Sequence, residues 1–129
     1  MLKIGGLVSG TGAVNITNTG NVGIGTLTTG TNKLAVEGTI AARRIKVTQA
    51  TTWPDFVFDS TYKLPSLKDI NNYVKENKHL PDVPYAFEVA RDGPDLGEMN
   101  RVLLLKVEEL TLHLIELEEK LDKLEKDKK

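Results

Sequence analysis

The sequence predicts an α+β chain that assembles as an elongated parallel homotrimer, with an N-terminal intertwined β shaft, a small α-containing collar and a C-terminal parallel coiled coil. Three observations carry this expectation. Residues 1–50 are glycine-rich and place apolar residues at alternate positions, the period of a half-buried strand. The large aromatics are confined to the proline-containing stretch 51–94. Residues 95–129 carry apolar residues in steps of four and three.

Taken in order, the shaft opens with Val14 and Ile16 alternating with polar residues, followed by the turn signal Asn18-Thr19-Gly20-Asn21. Val22 and Ile24 alternate next, with Gly23 and Gly25 between them. After the loop Leu27–Asn32, alternation resumes at Leu34, Val36, Gly38, Ile40 and Ala42, then changes parity at Ile45 and Val47. A bulge near Arg43-Arg44 accounts for the change. Strands this short and free of aromatics cannot close a core within one chain. Three chains wound about an axis can, because small residues let backbones approach closely. Gly20-Asn-Val-Gly23-Ile-Gly25 is not a phosphate loop: the glycine order is wrong, no Gly-Lys-Ser/Thr follows, and no helix opens there.

The collar, 51–94, begins with Trp53-Pro54 and an extended piece in which Phe56 and Phe58 alternate, closed by Leu64-Pro65. Ser66-Leu-Lys-Asp69 resembles a capping box, and Leu67, Ile70 and Val74 share one helical face, so a helix is expected to end near Asn77-Lys78-His79. Pro81 and Pro84 are expected to hold the chain extended. One or two helical turns follow over Ala86–Arg91, ended by Asp92-Gly93-Pro94. Asp95 then caps the last helix, with Glu98 as its box partner.

In that last helix the a positions are Asn100, Val107, Leu114 and Leu121, and the d positions are Leu96, Leu103, Leu110, Leu117 and Leu124. Such a seam buries little against its own domain and calls for an identical seam from another chain. Lys106, His113 and Lys120 occupy g; Leu104, Thr111, Glu118 and Glu125 occupy e. In a parallel oligomer g meets the following e of a neighbour, which pairs Lys120 with Glu125 and sets His113 near Glu118. Exposed pairs of this kind contribute only ~0.5 kcal/mol each, so they bias orientation modestly. Leu104 at e and Leu112 at f widen the apolar stripe and favour three strands over two. At ~1.5 Å rise per residue the rod is roughly 45–50 Å long.

Net charge is −1 and cysteine is absent, which argues against a nucleic-acid partner and rules out disulfides and thiolate chemistry. No apolar run is long enough to insert in a membrane. Met1-Leu-Lys-Ile-Gly-Gly6 lacks the apolar stretch of a signal peptide and reads as the middle of a repetitive region, so the chain is expected to be a fragment of a longer protein.

Asn21-Val-Gly-Ile-Gly-Thr26 followed by Lys33-Leu-Ala-Val-Glu-Gly-Thr39 resembles the shaft signature of phage tail fibres and related surface fibres. Trp53-Pro-Asp-Phe-Val-Phe58, Tyr62-Lys-Leu-Pro-Ser-Leu67, His79-Leu-Pro-Asp-Val-Pro84 and Leu96-Gly-Glu-Met-Asn100 resemble, in this order, C-terminal segments of tail-fibre proteins from Bacteroidetes bacteria and their phages. The resemblance covers roughly residues 20–120. It implies a β-structured trimeric shaft before the tip, structural trimerisation with host-surface attachment, and localisation on a virion tail fibre or an extracellular, cell-surface injection particle. The Ser-Asp-x-Arg-Leu-Lys motif of self-cleaving fibre chaperones is absent, so self-cleavage is not implied.

Trp53, Phe56, Phe58, Tyr62, Tyr73, Tyr85 and Phe87 are expected to form a small core round the top of the coiled coil. Trp53, Tyr62, Tyr73 and Tyr85 are the exceptions to watch, since their polar ends suit a host glycan or protein receptor if exposed. His79 reads as a helix-end residue and His113 as a solvated flank residue. Asp55, Asp59, Asp82 and Glu88 bring carboxylates near the aromatics, but no Ser-His-Asp order or metal-ligand spacing is recognisable. No catalytic residue, metal site or cofactor is therefore expected, and the chain is read as a non-enzyme. A pure folding module that binds nothing, a bacterial surface adhesin and a polysaccharide depolymerase are the competing readings.

Overall fold

The computed structural model describes residues 2–4, 14–48 and 52–129, with side chains from residue 14 onward. The chain divides into two units, Met1–Lys46 and Val47–Lys129. The boundary expected at residues 50 and 51 lies outside the described residues, as does the strand reading of residues 5–13.

The first unit is a four-stranded sheet in the order β1 (Leu2–Ile4), β2 (Val14–Ile16), β3 (Val22–Ile24), β4 (Leu34–Val36). β1–β2 and β2–β3 are antiparallel; β3–β4 is parallel. The registers align Asn15, Gly23 and Ala35 in one cross-strand row. Asn15 and Gly23 are buried, whereas Val14, Ile16 and Val22 are half-buried and Ile24 and Leu34 exposed. Paired residues share a face of the sheet, so the closed face carries the polar and small residues. The apolar alternation lies on the other face, half-buried to exposed in a single chain.

The glycine motif makes this closed face possible. Asn15 Nδ2 donates to the Thr26 carbonyl at 3.2 Å, folding the β3–β4 crossover under the sheet. A Cβ on Gly23 would collide with that same Thr26 carbonyl. Gly20 holds φ +77° in the turn before β3 and Gly25 φ +72° in the turn after it. Asn21 Oδ1 accepts from Lys33 Nζ at 2.9 Å and its Nδ2 donates to Thr29 Oγ1 at 3.4 Å, tying the residue that leads into β3 to the middle and far end of the crossover. Parallel neighbours normally need a long connection, usually a helix; here the chain crosses in residues 25–33 because these side chains and glycines close it. Replacing Gly23 by Ala should force the Thr26 backbone away and lower the stability of this unit by about 1–3 kcal/mol, measured by urea titration.

β4 stops at Val36, short of the expected Ala42, and the bulge near Arg43-Arg44 does not form. The last ladder bond is Glu37 N–H to the Ile24 carbonyl, where β3 itself ends, so nothing in β3 remains to pair with the chain beyond it. Residues 37–48 are exposed, Ile40 and Ile45 among them.

The second unit contains a 3₁₀ turn (Pro54–Phe58), α1 (Leu67–Asn77), α2 (Ala86–Asp92) and α3 (Leu96–Asp127). The helix starts follow from local capping. Ser66 Oγ accepts from Asp69 N–H at 3.1 Å, Glu88 Oε2 accepts from Tyr85 N–H at 3.0 Å, and Asp95 Oδ1 accepts from Glu98 N–H at 2.8 Å. Glu98 does not complete the expected box: its carboxylate takes the Arg101 guanidinium, with Nε at 2.9 Å. α1 ends on Lys78 at φ +63°, a left-handed cap.

Three expectations differ from the fold. The expected extended segment at Phe56 and Phe58 is the 3₁₀ turn, which aims Val57 inward and leaves both phenylalanines exposed. Pro81 does not hold the chain extended. With Asp82 at φ +65° and Val83 N–H bonded to the Leu80 carbonyl, it makes a turn. α3 packs against the 3₁₀ turn, and Pro54, Val57, Val102 and Leu105 form the buried centre. The core is aliphatic, not the expected aromatic cluster; Phe87 is 73% exposed.

Candidate functional site

A 32-residue helix covered by a few short segments can be shielded on only part of its circumference. The collar takes the side carrying Val102, Leu105, Lys106, Glu109 and His113, all buried. In heptad terms these are positions c, f and g; Glu108, at b in the first half of the helix, is buried as well. The a and d rows point elsewhere: Leu96, Leu103, Val107, Leu110, Leu114, Leu117, Leu121 and Leu124 are each 49–66% exposed, and Asn100 is exposed with its Nδ2 donating to the Leu96 carbonyl at 2.8 Å. The face with the regular apolar repeat is thus the one its own chain leaves uncovered.

Three flank assignments change. His113 is not solvated; it is 6% exposed and its Nε2 has no hydrogen-bond partner among the described residues. A neighbour's Glu118 therefore has no solvated His113 to approach. Lys106, also at g, is held within its own chain. Leu112 stands at f, the row of the collar-facing Leu105, so of the two residues expected to widen the seam only Leu104 flanks it.

Lys106 is the centre of an ion cluster that sequence reading missed. Its Nζ donates to Asp82 Oδ2 at 2.8 Å and Glu109 Oε2 at 3.0 Å. The Tyr62 hydroxyl donates to Glu109 Oε1 at 2.6 Å. Burial pulls the Lys106 ammonium down, but the bonds and charges of Asp82 and Glu109 outweigh it and hold it above the ordinary lysine value. Burial pushes the Tyr62 phenol well up, and the hydrogen bond and charge of Glu109 add to the effect. Lys106 thus stays charged and Tyr62 neutral across the physiological range. The spacing of Lys106 and Glu109 was visible on the helix; Asp82, delivered by the left-handed turn after Pro81, was not.

The four aromatic candidates separate. Trp53 and Tyr85 are 55% and 48% exposed; Tyr62 and Tyr73 are half-buried. Tyr62 packs on Phe56, with ring centroids 5.7 Å apart, and its hydroxyl is committed to Glu109. His79 lies between Tyr73 and Tyr85, at 5.5 Å and 4.0 Å between centroids, with Nδ1 2.8 Å from the Leu80 carbonyl. Tyr73 and Tyr85 also border a cleft of about 380 Å³ with Val83, Pro84 and Met99. Among the described residues no group of three or more His, Asp and Glu is placed to hold a metal ion, and no helix is long and apolar enough to cross a membrane. No protein family, curated protein or solved structure matches the chain.

Proposed function

We propose that this chain is part of a trimeric tail fibre of a phage or phage-like injection particle, in which α3 forms a parallel coiled coil with two further copies, and that it serves trimer registration and attachment to a host surface. One observation carries the assembly half of this reading: the regular heptad face is the uncovered face of α3. Leucines half exposed in one chain gain on the order of 1 kcal/mol each on burial, which over the eight apolar seam positions outweighs any exposed ion pair. The partly exposed apolar face of the sheet asks for the same remedy in the shaft. The fibre identity rests on the resemblance of the Asn21–Thr39 and Trp53–Asn100 segments. Light scattering at micromolar concentration should give three times the chain mass; a monomer mass would overturn the assembly.

The attachment half rests on Trp53 and Tyr85, rigid aromatics with a polar end and about half their surface exposed. Trp53→Ala or Tyr85→Ala should weaken attachment to host cells by about 1 kcal/mol or more while the trimer mass is retained. Unchanged attachment in both variants, or loss of the trimer along with attachment, would remove these residues from the receptor face.

A further inference from the structure

The flanks of the α3 seam differ. On the g side, Leu67 of α1 and Pro65 border two adjoining cavities. One, of about 90 Å³, has an apolar wall that includes Leu80 and Leu110. The other, of about 270 Å³, is also lined by Leu117 and rimmed by Lys120. Leu67 and Leu80 remain 47% and 43% exposed beside them, although both belong to the folded collar. On the e side no segment among the described residues stands over the helix at this level: Thr111 and Glu118 are exposed. Here Ile115, at b and so outside the heptad seam, is an apolar side chain 45% exposed.

We propose that in the assembly each collar is a socket for the next copy of the chain: the Pro65–Leu67 corner of one protomer receives Ile115 of its neighbour. The inference rests on the parallel coiled-coil reading and deepens it. In a parallel ring the g flank of each helix meets the e flank of the next, a head-to-tail contact that closes on itself. In register, Ile115 stands level with the His113–Leu117 stretch of the neighbour, the stretch that lines the larger cavity together with Leu67. Charge agrees with this seating. Lys120 stands at the socket rim, and by the pairing of g with the following e it meets the neighbour's Glu125, on the same flank as Ile115. Glu116 also lines the cavity, but at c, farther from the seam than Lys120. The collar thereby guides each helix to its neighbour's g side, and the socket fixes register where the Leu-rich a and d layers alone would permit sliding by a heptad.

The absence of cysteine makes the test direct. Chains carrying Leu67→Cys and chains carrying Ile115→Cys are co-expressed and mildly oxidised. The expected result is a covalent pair holding one chain of each kind, formed in the mixture and in neither variant alone, because only that pairing brings the two Cβ atoms within disulfide reach. A mixture that keeps the oligomer mass yet yields no mixed pair, or yields Leu67–Leu67 pairs instead, overturns the socket and leaves the coiled coil standing. A monomer mass for the unmodified chain overturns the reading beneath it and the socket with it. As a second variant, Ile115→Asp changes a residue exposed in the single chain, so helix content should hold while the concentration for half-dissociation rises at least tenfold; an unchanged concentration overturns the proposal.

Discussion

Replacing Leu110 and Leu114 together by Asn should abolish the proposed coiled-coil trimer or lower its melting temperature sharply. Both side chains lie on the uncovered face of α3, at 56% and 66% exposure, so the variant should disturb the single-chain fold little. In a three-helix seam the same change places six amide side chains, two per chain, in consecutive dry layers. Each unpaired buried group costs about 1–3 kcal/mol, and each lost leucine forfeits its burial. The total, on the order of 12–24 kcal/mol, equals or exceeds the 5–15 kcal/mol by which proteins are ordinarily stable. Sedimentation velocity separates the outcomes. Monomers with α3 helicity reduced and the collar retained are expected. An unchanged oligomer with unchanged melting would mean that the β unit alone holds the chains together.

Glu109→Ala should destabilise the collar by about 3 kcal/mol or more, the usual result of removing one partner of a buried ion pair. Its removal leaves the Tyr62 hydroxyl without its acceptor and Lys106 with only Asp82, whose side chain is 59% exposed. The double variant Lys106→Met with Glu109→Leu should regain much of the loss, because it removes the stranded charge rather than exposing it. Urea titration at fixed chain concentration reads both, and equal losses in the single and double variants would dismiss the cluster as a unit. The pH dependence has a definite sign. Lys106 and Tyr62 both have folded-state values raised above the unfolded ones, which lie at 10.5 and 10.0. Their contribution is therefore complete below about pH 10 and is lost as pH rises through the folded values. This part of the stability should be flat from neutral pH to about 9 and fall above 10. In Glu109→Ala the alkaline fall should shrink.

How much of this was legible beforehand depends on the distance over which each feature is encoded. The capping of α1 by Ser66 and of α3 by Asp95 involves residues three apart, and both helices begin where the sequence places them. The short strands at Val14–Ile16, Val22–Ile24 and Leu34–Val36 follow from alternation, and the glycines between them mark real turns. Alternation did not reveal which face would close. The Asn15 amide, bonding to the backbone of Thr26, turns the polar row inward against the ordinary rule for strands. Likewise, a run of aromatic residues says that area must be buried somewhere but not which rings are buried: the 3₁₀ turn at Pro54 rotates Val57 into the core and Phe56 and Phe58 out.

The sequence by itself determined the heptad face of α3, because helical periodicity alone assigns residues to arcs of a helix. Only the tertiary structure decided which flank of that face the collar occupies. Tyr62 reaches Glu109 across 47 positions of the chain and Asp82 reaches Lys106 across 24. Those contacts depend on the left-handed backbone at Asp82 and on the packing of the 3₁₀ turn against α3. They bury His113 and Lys106, which heptad position alone would assign to solvent. A heptad gives each residue its angle about the axis; whether that angle faces water, collar or another chain depends on segments distant in sequence, whose positions no local period encodes.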